Sequence, residues 1–165
     1  MRGPFEALFE KTAREADPKA RAAVAERLDG HQELPVSLLN EFFFDAPRDM
    51  RARILARNEA LEAESAAPMP VDAPRLVQDA RTMNGAFADA FSSTLKLPHA
   101  VARDILTDAS GQSLAVACKG AGLDRATFSA LALLTTRAPD PARLSHFDAI
   151  PKAGAERLLD HWRGR

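Results

Sequence analysis

Apolar residues recur along the chain at steps of three and four, the period of an amphipathic helix. The clearest run is 74–95, where Leu76, Ala80, Met83, Phe87, Phe91 and Leu95 form one stripe. A narrower stripe of Met50, Ile54 and Leu61 crosses 47–65, with Arg48, Arg53, Glu59, Glu62 and Glu64 lying off it. Prolines punctuate these runs. Pro18, Pro35, Pro47, Pro74, Pro98, Pro141 and Pro151 each stand ahead of a helix-compatible segment. A proline in a first turn loses no intrahelical hydrogen bond. Asp17 and Asp140 precede two of them and are good N-caps. Together these signals predict helices over about 4–15, 18–29, 35–45, 47–65, 74–95, 98–107, 111–121, 124–136, 141–148 and 151–163. The expected fold class is all-α: an irregular multi-helix bundle or a short HEAT-like array of about ten short helices.

Two segments begin alike, at Asp17-Pro18 and at Asp45-Ala46-Pro47, each followed by an early arginine and then apolar residues. HEAT-like solenoid helices often start so, although the spacing slips between the copies. The stretch Ser65–Pro74 holds three prolines in seven residues and cannot be helical. It either separates an N-terminal helical unit, 1–66, from a C-terminal unit, 74–165, or is a surface loop at 67–73 within one continuous domain.

Composition supports helix and narrows the chemistry. The 165 residues include 33 alanines and 19 leucines but only 6 valines, 3 isoleucines and 7 threonines. Tyrosine is absent and Trp162 is the one tryptophan. Sheets draw on β-branched and aromatic residues, so an all-β or parallel-sheet fold is close to excluded. The formal net charge is −1, with 10 basic against 13 acidic side chains in 1–70 and 12 against 10 in 71–165. Neither half is the basic block that non-specific nucleic-acid or anionic-membrane binding needs. No run approaches the ~20 apolar residues of a membrane span, and no signal core opens the chain. The single cysteine, Cys118, can form no intramolecular disulfide. A reduced, cytoplasmic protein is expected.

No motif demands catalysis. His31, His99, His146 and His161 never fall at the spacing that puts two ligands on one helix face. Phosphate-binding glycine loops and nucleophile elbows are missing. Ser110-Gly111-Gln112-Ser113 reads as a helix cap and turn. The expectation is therefore no enzyme, no cofactor and no metal.

Two stretches stand out. Leu38-Leu39-Asn40-Glu41-Phe42-Phe43-Phe44 carries three consecutive phenylalanines, which cover about 200° of a helix at 100° per residue. Leu38, Leu39, Phe42 and Phe43 can share one broad face while Phe44 points elsewhere. Either neighbours enclose the helix or Phe44 adds to an apolar patch for a partner, and enclosure is the commoner fate of phenylalanine. With so few tyrosines and tryptophans to anchor an interface, the residues expected to meet another protein or a second copy are Phe42, Phe43, Phe44, Arg48 and Arg51. The other stretch, 111–135, has helix-turn-helix spacing: small Cys118, a turn at Gly122, an N-cap at Asp124, then inward Phe128 and Leu131. A DNA reader would present Arg125, Thr127 and Ser129 there. Against it, Leu131, Leu133 and Leu134 point around the helix and predict burial on several sides.

Leu34–Pro47 followed by Arg51–Leu55, and Asp108–Leu123, resemble a bacterial helical family known as domain of unknown function 2336, over roughly residues 30–137. The resemblance implies an all-helical, HEAT-like architecture. It implies no activity, cofactor or catalytic residue. The reading that follows is a non-catalytic protein-interaction or regulatory module; the alternative is a DNA-binding transcription regulator that uses 111–135.

Overall fold

The computed structural model describes residues 4–14, 17–28, 34–61, 70–82, 85–135 and 142–165. Among them the chain forms eleven α-helices and no strand. They are α1 (Pro4–Ala13), α2 (Pro18–Arg27), α3 (Val36–Glu41), α4 (Arg48–Glu59), α5 (Ala73–Thr82), α6 (Phe87–Leu95), α7 (His99–Thr107), α8 (Gln112–Gly120), α9 (Arg125–Thr135), α10 (Ala142–Ala149) and α11 (Lys152–Arg163). A short 3-10 turn, Phe43–Asp45, links α3 to α4. The fold is an all-α multi-helix assembly.

Prolines set many of the boundaries. Pro35, Pro47, Pro98 and Pro151 are the N-cap residues of α3, α4, α7 and α11. Asp17 caps α2 by accepting from the Lys19 N–H at 3.0 Å, with Pro18 in the first turn. Asp72 does the same for α5 through the Arg75 N–H. Asp140 and Pro141 lie outside the described residues, as do 62–69, which contain most of the expected linker.

The expected single helix over 74–95 is two helices. Gly85, at φ +81°, stands between α5 and α6. Glycine adopts that left-handed conformation without the steric cost of a side chain. The apolar stripe runs on across the break because Leu76 on α5 and Phe87, Phe91 and Leu95 on α6 all face one core. Likewise the expected 35–45 helix closes at Glu41 and tightens into the 3-10 turn, and 47–65 yields a helix that ends at Glu59.

The most extensive helix contacts are made by α11, which packs on α8 along one side and on α4 along the other. Glycines permit both approaches. A Cβ on Gly120 of α8 would stand 2.6 Å from the Ala155 carbonyl oxygen. A Cβ on Gly154 of α11 would stand 2.5 Å from the Leu55 carbonyl oxygen. Arginines of α11 then cap the neighbours. Arg157 donates to the carbonyls of Asn58 and Glu59 at the end of α4, and Arg163 donates to Leu95 O at the end of α6. Charged donors at helix C-termini satisfy the last carbonyls and oppose the helix dipole. Buried apolar side chains from Phe9 to Trp162 form one cluster that includes residues before and after 62–69. Within it, Asn40 and Asn58 exchange amide hydrogen bonds at 3.0 and 2.7 Å, pinning α3 to α4 with both polar groups satisfied.

Candidate functional site

The three phenylalanines meet three different environments. The chain leaves α3 at Glu41 and tightens into three residues per turn, so successive rings diverge by about 120°. Phe42 and Phe43 are completely buried. Phe42 sets its ring edge-on to Phe9 at 6.2 Å, and Phe43 sets its edge-on to Trp162 at 5.5 Å. Neither has surface to offer a partner, which corrects the expectation for both. Phe44 is half-buried and stacks on Trp162 at 5.0 Å with 21° between the rings.

An arginine covers each buried ring. The guanidinium carbon of Arg21 lies 5.3 Å from the Phe42 centroid, and that of Arg51 lies 5.1 Å from the Phe43 centroid. Each arginine also holds an aspartate. Arg21 Nε pairs with Asp45 Oδ2 at 3.0 Å, and Arg51 Nη1 pairs with Asp108 Oδ2 at 2.8 Å. Arg21 donates further to the Ala13 and Glu41 carbonyls. Arg51 donates to the Ala46 and Phe44 carbonyls. At 8% exposure Arg51 is an internal strut, not the partner-facing cation its sequence context suggested. A cation so far from water persists only with its hydrogen-bonding capacity filled. Arg48, one turn earlier, is exposed.

Asp108 is the hub on the facing side. Its Oδ2 accepts from the Ser113 N–H and hydroxyl, and its Oδ1 from the Ser110 N–H and hydroxyl. Burial alone would raise its carboxyl, but the bonds from Ser113, Arg51 and Ser110 outweigh it and hold the group below the ordinary value. The cap-and-turn reading of Ser110–Ser113 thus describes the start of α8. What the sequence did not disclose is the acceptor, Asp108, and its cation 57 residues upstream. Close by, Glu41 meets His161 Nε2 at 3.0 Å and Arg165 at 3.1 Å. The His161 hydrogen bond, opposed by burial and helped by Arg165, lowers the Glu41 carboxyl.

Arg51 lines two of the clefts that open beside these groups. The first, of about 310 Å³, is walled by Phe44, Arg21, Asp45, Asp108, Asp104 and Arg165 together with Arg51 and Thr107. The second, of about 210 Å³, is lined by Phe43, Leu55, Val116 and Ile150 together with Arg48 and His146. Phe44, Arg48 and Arg51 are therefore brought to neighbouring openings on one part of the surface.

The segment 111–135 forms the expected helix, glycine turn and helix. Gly122 has φ +79°, Leu123 N–H returns to Cys118 O at 2.9 Å, and Asp124 caps α9 through the Thr127 N–H at 2.8 Å. Phe128 and Leu131 are buried. Leu133 and Leu134, however, are 59% and 42% exposed, so the expected burial on several sides does not hold. Arg125 pairs with Asp148 at 3.2 Å, and Thr127 and Ser129 are half-buried. No second cation stands beside Arg125 on α9 to follow a phosphate backbone. Among the described residues there is no grouping of three or more histidine, cysteine or acidic side chains able to hold a metal ion, and no helix long and apolar enough to cross a membrane.

A family model described as an uncharacterised protein conserved in bacteria, domain of unknown function 2336, matches residues 73–160. The chain belongs to this family. No curated protein and no solved structure matches it. Of the two stretches that carried the resemblance, Asp108–Leu123 lies inside the matched region and Leu34–Leu55 lies before it. The first cleft is consequently composite. The family region contributes Asp104, Thr107 and Asp108, while Arg21, Phe44, Asp45, Arg51 and Arg165 come from outside it.

Proposed function

We propose that this member of the domain of unknown function 2336 family is a non-catalytic, HEAT-like interaction module of the cytoplasm. It docks another protein, or a second copy, at the clefts beside Phe44, Arg48 and Arg51. One observation carries the reading. Phe44 is the phenylalanine of the run left half-buried, and it opens onto a charged cleft that distant parts of the chain converge to build. Apolar rings rimmed by charge are a common design of protein-binding sites, with arginine and aromatic side chains dominating the energetics. The buried, unpaired thiol of Cys118 suits a reducing compartment.

The experiment is affinity capture from native lysate, with and without nuclease, alongside sedimentation velocity of the purified chain. Protein partners or a dimer that survive nuclease and are lost in Phe44→Ala, with the far-ultraviolet helical signal unchanged, support the module. Recovery abolished by nuclease and by Arg125→Ala overturns it in favour of a DNA reader built on 111–135.

A further inference from the structure

The surroundings of the phenylalanine run follow a pattern that is complete twice and incomplete once. Phe42 carries the guanidinium of Arg21, which is neutralised by Asp45. Phe43 carries the guanidinium of Arg51, which is neutralised by Asp108. Phe44 lines the 310 Å³ cleft and, among the described residues, no guanidinium lies over its ring. Asp104 lines the same cleft and, among the described residues, its carboxylate enters no ion pair and accepts no hydrogen bond. The third ring and the third aspartate thus share an opening without the arginine that joins the other two sets.

The remaining charges in the wall do not supply it. Arg21 and Arg51 are committed as above, and Arg165 is held by Glu41 at 3.1 Å. Arg165, Arg21 and Arg103 act on Asp104 only through space, and Asp45 opposes them. Each arginine of the wall already pairs directly with another carboxylate, so Asp104 is the wall carboxylate without a direct partner among the described residues. Resting on the interaction-module reading, we infer that the cleft receives the guanidinium of an arginine from a partner protein, laid against Phe44 and paired with Asp104.

Arginine suits the place better than lysine. Its planar head stacks on an aromatic ring while its edge offers a fork of donors to a carboxylate, whereas an ammonium is a strongly hydrated point charge. An anionic guest such as a phosphate group would have to displace Asp45, Asp108 or Glu41 from existing pairs and would meet Asp104 as well. Although Asp104 is exposed, the protein around it displaces enough water to raise its carboxyl from the ordinary value, a cost that an incoming cation would relieve.

Trp162 provides the readout, since it is the one tryptophan and stacks on Phe44. Its fluorescence is followed while the intact chain is titrated with Nα-acetylarginine amide, its neutral isostere Nα-acetylcitrulline amide, and inorganic phosphate. Saturable binding of the arginine compound is expected, with citrulline weaker by at least about tenfold. Asp104→Asn, a change at an exposed position, should weaken arginine by a similar factor while circular dichroism stays unchanged. Phe44→Leu, followed by proton chemical shifts, should also weaken it. Equal binding of citrulline, unchanged affinity in Asp104→Asn, saturation by phosphate instead, or no saturation by arginine overturns the inference. If partners are still captured at Phe44 after such a result, the module reading stands without its arginine.

Discussion

Arg51 and Asp108, 57 residues apart in sequence, face each other at 2.8 Å with each side chain only 10% exposed. They tie α4 to the turn that starts α8. Removing one member leaves the other charged and poorly hydrated, which in comparable buried pairs costs about 3–5 kcal/mol. Arg51→Met should therefore lower the urea midpoint by that equivalent, and Arg51→Lys should lower it too, because an ammonium cannot span Asp108 and two carbonyls at once. In the double variant with Asp108→Asn the losses should sum to less than the two single ones, as a double-mutant cycle would register.

Acid should destabilise the protein through the same groups. Asp108 and Glu41 both have carboxyls lowered in the folded chain. The unfolded chain then binds more protons between the lowered values and the ordinary carboxylate range near 4, so stability rises with pH across that window. Their contribution is complete above the ordinary range and is lost as pH falls through the folded values. Asp104, raised in the folded chain, contributes a slope of opposite sign. Urea midpoints between about pH 3 and 7 should fall toward acid, and Asp108→Asn should flatten that limb.

Gly120→Ala should destabilise by about 1–3 kcal/mol, because the obstacle to its methyl group is the Ala155 backbone and not a movable side chain. Gly122→Ala makes a useful contrast. No atom lies within 4 Å of its Cβ, and its cost arises from φ +79° alone. Thermal melts should separate the two, with Gly120→Ala loosening the α8–α11 contact in hydrogen exchange and Gly122→Ala leaving it protected.

Lys96 ends α6 at φ 59°, a left-handed conformation that a side chain makes costly. It is exposed, so little packing would be lost with its side chain. Lys96→Gly should raise stability by up to about 1 kcal/mol, seen as a higher melting temperature.

Cys118 is fully buried, and burial pushes its thiol well above the ordinary range. A disulfide reagent should leave it unmodified at neutral pH in the native protein and label it promptly in denaturant, because the thiolate is the reacting species. Labelling under native conditions should track the fraction of opened molecules.

The helical fold was legible because its signals are local. Prolines and caps at Pro35, Pro47, Pro98 and Pro151 mark starts, and three- and four-residue spacing marks faces. The break at Gly85 escaped because Leu76 and Phe91 serve one core from two helices, so periodicity carries no trace of the interruption. The site was harder. A helical wheel places Phe42 and Phe43 on one face with Leu38 and Leu39, but only the packing of Phe9, Trp162 and two arginines shows that this face is enclosed. Arg51 looked like surface because arginine usually is. Only tertiary structure shows that Asp108 and two carbonyls await it.

α11 presses on α8 with Ala155 and on α4 with Gly154, and its Trp162 props Phe44. The region that matches the family model begins after α4 and stops at residue 160. A fragment trimmed to that region would strip one flank of α11 and discard its tryptophan. In this chain the contacts of α11 reach beyond the piece that inheritance marks out.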